Sequence, residues 1–123
     1  MSELVMFNKV PDRSRLNVQV TPAGGPYAAA GIFYTFAGTH VPDVQWTDAE
    51  LQNGKRTGQL LKTRDYAVDV IVNFASPANT SATVTARVEK PDGSNYGTVR
   101  TATVTGQNGG PPITVTIILV MES

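Results

Sequence analysis

The chain has 123 residues, one domain's worth, with ten Lys and Arg against ten Asp and Glu and a formal net charge of zero. It has no Cys and one His, which excludes disulfides, thiolate metal sites and cysteine nucleophiles and leaves a zinc site short of ligands. Fifteen Thr, fifteen Val, 11 Gly and 8 Pro suit strands and turns rather than helices, and 41% apolar residues are enough to fill a core.

Residues 4–10 (LVMFNKV) are apolar on both parities and stop at Pro11-Asp12, as a first strand or as an arm that pairs elsewhere. Residues 14–21 alternate: Leu16, Val18 and Val20 point one way, Arg15, Asn17, Gln19 and Thr21 the other. A Pro-Ala-Gly-Gly-Pro turn over 22–26 leads to residues 27–38, which are apolar on both faces, with Ile32, Tyr34 and Phe36 on one and Phe33 and Ala37 on the other. A strand covered on both sides is central in a sheet or sits at an interface. Helix outweighs strand only near 47–53. There Thr47-x-x-Glu50 has capping-box spacing, Trp46 and Leu51 suit a hydrophobic staple, and Gly54 can end the turn. The rival is a hairpin over Asn53-Gly54.

Residues 58–63 read as a short strand or its lead-in. Residues 65–74 are the clearest strand, with Tyr66, Val68, Val70, Val72 and Phe74 inward and Asp69 and Asn73 outward. Residues 81–89 place Ala82, Val84, Ala86 and Val88 inward, and Pro91-Asp92-Gly93-Ser94 turns the chain. In 97–105, Val99 has the opposite parity from Ala102 and Val104, and a bulge near Arg100-Thr101 would repair this. Residues 113–121 carry Ile113, Val115, Ile117, Leu119 and Met121 inward, with Ile118 and Val120 apolar on the other side.

The sum is an all-β chain: one antiparallel β-sandwich over 1–123, immunoglobulin-like or jelly-roll-like, with seven to eight strands and one short helical turn near 47–53. From Asp65 to Met121, a long inward-alternating strand, then V-x-A-x-V-E-K-P-D-G and a closing hairpin, the chain resembles an immunoglobulin-like or fibronectin-like sandwich without the Cys–Trp–Cys spacing of antibody domains. That resemblance implies a fold and no function.

Several function classes fall away. The basic residues are spread along the chain, the densest groups being Arg13/Arg15 and Lys55/Arg56 with acids close by, which argues against nucleic acid. The apolar run Ile117–Met121 is five residues long, far short of the roughly 20 of a spanning helix, so no membrane span is expected. The first six residues, MSELVM, have neither the basic stretch nor the apolar core of a signal peptide, so synthesis in the cytoplasm is expected. His40, the only candidate general base of its kind, reads as a loop residue, and no G-x-S-x-G accompanies it. Asp43, Asp48 and Glu50, and the Asp92-Gly-Ser-Asn95 loop, offer oxygens for calcium but match no calcium loop. Asp65 and Asp69 read as surface acids, so no cofactor or metal is expected.

Two positive readings remain. Trp46 and Tyr96, near strand ends, are candidates for a sugar-stacking platform in a carbohydrate-binding module. More informative is the apolar surplus in 4–10, 27–38 and 117–121, because a sandwich hides only one face of each strand. Phe33, Ile118 and Val120 are the expected interface residues of a non-enzymatic subunit that forms a homo-oligomer or docks on a larger protein assembly, such as a virion or surface appendage.

Overall fold

Alternation with a period of two decides which side chains meet, and it holds along most of this chain. The structure is a computed structural model. It describes residues 2–24, 26–35, 40–74, 80–106 and 109–123, with residues 2 and 40–44 described by backbone alone. Among the described residues there are nine strands and one helix: β1 (Ser2–Val10), β2 (Arg15–Pro22), β3 (Tyr27–Thr35), β4 (His40–Trp46), α1 (Asp48–Asn53), β5 (Lys55–Arg56), β6 (Tyr66–Phe74), β7 (Thr80–Glu89), β8 (Arg100–Gly106) and β9 (Ile113–Met121). The larger sheet has the order β1-β9-β6-β3-β4 and the smaller one β5-β2-β7-β8. The two sheets pack face to face as a β-sandwich, with one core between them.

The core is built from the inward parity of each strand. Leu16, Val18 and Val20 of β2 and Ala82, Val84, Ala86 and Val88 of β7 face Val68, Val70 and Val72 of β6 and Val115, Ile117 and Leu119 of β9, all buried. Each Val, Leu or Ile among them taken fully from water stabilises the fold by roughly 1.5–3 kcal/mol before chain entropy is counted.

Four details differ from the sequence reading, each for a physical reason. The two ends of the chain lie side by side, and β1 runs parallel to β9 from Ser2↔Thr114 to Phe7↔Leu119; among the described residues all other strand pairs are antiparallel. Residues 40–46 form a strand rather than a loop. It sits at the edge of the larger sheet, where Pro42 removes no hydrogen bond that a second neighbour needs. Residues 58–63 contribute only an isolated bridge between Leu60 and Ser14. No bulge interrupts β8, whose pairing with β7 is continuous from Arg100 to Gly106, and Val99 precedes the strand. Irregularities lie elsewhere, in the β3–β4 pairing between Ile32 and Tyr34 and in β1. The β1 register shifts between Phe7 and Val10, Lys9 has φ 55°, and Phe7 and Val10 are both buried despite opposite parity. Residues 36–38, read as the end of the third strand, lie outside the described residues.

The helical turn is as its sequence suggests. The Thr47 hydroxyl accepts from the Glu50 N–H (3.2 Å), and the Glu50 carboxylate accepts from the Thr47 N–H (3.0 Å). Gly54 closes the turn at φ 91°, and Leu51 is fully buried. Here the chain crosses from the larger sheet to the smaller one. Beyond the end of β4, the Asp48 carboxylate takes the free N–H of Ala29 on β3 (2.9 Å). On the other side, Gln19 of β2 donates to the carbonyl of Gln52 (3.0 Å).

Two glycines admit aromatic rings. Gly31 lies opposite Trp46, and a Cβ there would stand 3.0 Å from the indole. A Cβ on Gly106 would meet the Phe74 ring at 2.5 Å, inside any real carbon contact. Gly106→Ala therefore lowers stability by about 1–3 kcal/mol in denaturant unfolding, as overpacking does. Phe74→Leu added to Gly106→Ala returns part of that loss. An unchanged unfolding midpoint for Gly106→Ala would contradict this packing.

Candidate functional site

Residues opposite one another in register share a face, so the pairing shows what each sheet offers to solvent. On the smaller sheet the outward rows are polar. Thr21, Thr83 and Thr103 form one row, and Gln19, Thr85 and Thr101 the next. Across β7 and β8, hydroxyls pair at Ser81–Thr105 (2.8 Å) and Thr83–Thr103 (3.0 Å).

The larger sheet is different. One outward row reads Met6, Ile118, Ala67 and Tyr34; the next reads Leu4, Thr116, Asp69, Ile32 and Gln45; a third holds Thr114, Ile71 and Ala30. Leu4 is 59% exposed and Met6 38%, while Ile32, Ile71, Ile118 and Val120 are half-buried by their neighbours alone. These six aliphatic side chains span four strands of one sheet face. Asp69 is the acid within it, and it is held in place: the Thr116 hydroxyl donates to its carboxylate (2.8 Å) and the Tyr34 hydroxyl bonds to it as well.

The expected interface residues divide between the two sides. Ile118 and Val120 face outward from β9, as expected. Phe33 does not join them. It points inward, opposite Val68, and stacks between Trp46 (centroids 5.8 Å apart) and Tyr66 (5.6 Å). It is half-buried there, packed against the core rather than on the outer face with Ile118 and Val120. Leu4, Met6, Ile32 and Ile71 face outward on this sheet instead, and the outward parity of residues 4–10, 27–38 and 65–74 was the signal for them.

The sugar-platform pair also divides. Trp46 is 3% exposed, with Phe33 on one side and Gly31 beneath it, so it offers no ring face to a ligand. Tyr96 is half-buried against the core and spends its hydroxyl on the Asn8 carbonyl (2.8 Å). With Arg100, which donates to the Met6 carbonyl (3.1 Å), it covers backbone along β1.

The acids suggested for calcium are occupied. Asp48 accepts from Ala29 and from the Gln52 amide, and Glu50 accepts from Thr47 and pairs with Lys55 at 2.9 Å. The Thr47 N–H first, and then Lys55, hold the Glu50 carboxyl below its usual range. The Ser94 hydroxyl and N–H do the same for Asp92. Among the described residues no three metal-ligating side chains come together. The side chains of His40 and Asp43 lie outside the described residues, but His40 opens β4 opposite Tyr34 and is not in a loop. Asp65 serves the fold by accepting from the Met121 N–H (2.9 Å).

No family model, curated protein or solved structure matches the chain.

The Tyr34–Asp69 contact has a titration signature. Burial first, and then the Asp69 charge and hydrogen bond, push the Tyr34 phenol above its usual value; burial and Asp48 do the same for Tyr27. A phenol raised in the folded state contributes stability that is whole below the ordinary phenol pKa and is lost as pH rises through the folded value. In an ultraviolet difference titration, Asp69→Asn brings part of the tyrosine ionisation to lower pH. Superimposable curves for the two proteins would show that the pair does not couple.

Proposed function

We propose that this chain is a non-enzymatic β-sandwich subunit that assembles with copies of itself through the outer face of its larger sheet. The observation that carries the reading is the aliphatic set on one sheet face: Leu4, Met6, Ile118 and Val120 on the neighbouring strands β1 and β9, with Ile32 and Ile71 on β3 and β6 beyond the Thr116–Asp69 pair. Contiguous apolar patches on a polar-faced domain mark protein contact sites. The contrast with the hydroxyl-lined smaller sheet supports a single sticky side. A net charge of zero adds no long-range repulsion between copies. A particle shell or surface appendage made of many copies is the setting such a subunit suits, and docking of this same face on a larger assembly is its extension.

Asp69 does not defeat the reading, because its carboxylate keeps its Thr116 and Tyr34 partners when the face is covered. Sedimentation velocity of the full chain from low micromolar to near millimolar concentration is the test. The wild type forms larger species as concentration rises. Ile118→Lys or Met6→Lys, each placing a charge on the covered face, weakens association by about tenfold or more. Both positions point away from the core, so the circular dichroism spectrum stays that of the wild type. A wild type that remains monomeric throughout, or a lysine variant that associates equally well, overturns the proposal.

A further inference from the structure

Folding brings together cations that are far apart along the chain. Arg13 and Arg15 stand at the entry to β2, Arg56 ends β5, and Lys90 follows β7. Register places Arg15 opposite Glu89, with Asn17 between Arg56 and Arg87 one row on, all on the outer side of the smaller sheet. At that end Arg13, Arg15, Arg56 and Lys90 line a depression of about 340 Å³, with Gln59 and a single acid, Glu89.

The charges there do not cancel. Arg56 grips Glu89 with both arms of its guanidinium, Nε to Oε1 at 2.6 Å and Nη2 to Oε2 at 3.1 Å, so that pair is closed on itself. Arg13 approaches Asp12 only at 4.0 Å, and the other Asp12 oxygen is taken by the Lys62 N–H. Arg15 and Lys90 have no ion pair among the described residues. Asp92, in the turn beside Lys90, gives Oδ1 to Ser94 (2.6 and 2.9 Å) and lies near enough to Lys90 to offset part of its charge, without pairing with it. Arg13 also holds φ 67°, and its N–H donates to the Leu60 carbonyl (2.8 Å), which fixes the loop that carries its 69% exposed side chain. Guanidinium groups present paired N–H donors that match the oxygens of phosphate and sulfate, and a lysine adds a point charge.

We infer that this depression binds a small, multiply charged oxyanion, a phosphate- or sulfate-bearing ligand. Arg13, Arg15 and Lys90 contact the anion, and the Arg56–Glu89 pair forms a rigid wall beside it. The site lies on the face opposite the apolar one, so it stands or falls separately from self-assembly.

Amide NMR of the full chain, titrated with pyrophosphate and in parallel with a sulfated disaccharide, tests this at an ionic strength held constant with sodium chloride. The expected result is saturable shifts centred on residues 13–15, 56–59 and 88–93; whichever probe binds tighter identifies the source of the charge. Arg15→Gln and Lys90→Gln each weaken binding by about tenfold, the usual worth of a charged hydrogen bond. Lys62→Gln, outside the depression, leaves it unchanged. Shifts no larger than sodium chloride produces, full affinity in both Arg15→Gln and Lys90→Gln, or equal loss in Lys62→Gln each overturn the site.

Discussion

A strand that gives alternate side chains to a core must give the others to something else, and that constraint organises this molecule. In the smaller sheet the other set is Thr, Ser, Gln and Arg, groups that water solvates well. In the larger sheet it is largely aliphatic: Leu4, Met6, Ile32, Ile71, Ile118 and Val120. The same two-residue period therefore produces one side content in water and one side that gains free energy when covered. The proposed anion site uses the same rule in part: Arg15, Arg56 and Glu89 are outward positions of β2, β5 and β7, while Arg13 and Lys90 come from the chain just outside those strands.

The edge strands β1, β4 and β5 are guarded against pairing with a further strand. Tyr96 and Arg100 reach across from the approach to β8 and take carbonyls of β1. Proline stands in the edge strand β4, and Asp48 blocks the N–H of Ala29 beyond its end. Strand β5 is two residues long. Such devices discourage strand addition. Strand β8 carries no comparable guard along its length beyond Arg100, and its outward residues are threonines.

How much was legible depends on how local the cause is. The strands over 14–21, 65–74, 81–89 and 113–121 announce themselves because burial on one side imposes alternation on the residues themselves. The capping box needs only Thr47 and Glu50, three positions apart, and it forms as read. Strand β4 was hidden because Pro42 and Asp43 break its apolar pattern, and its hydrogen bonds come from one neighbour. The parallel pairing of β1 with β9 joins opposite ends of the chain, which no window of sequence contains. Phe33 has the side its parity suggests, but its shelter comes from Trp46 and Tyr66, which only the tertiary fold brings to it. The cation cluster was illegible for a similar reason: Arg15, Arg56 and Lys90 look scattered until β2, β5 and β7 lie side by side.

The difference between the two faces is most directly measured by the accessibility of their methyl groups to a soluble paramagnetic agent as protein concentration is raised. As concentration rises, the methyls of Met6, Leu4 and Ile118 become protected, while those of Thr83 and Thr103 on the opposite sheet stay as accessible as in dilute solution. Equal protection of both faces, or an unchanged relaxation enhancement at Met6 and Ile118 at every concentration, would contradict assembly through the apolar face.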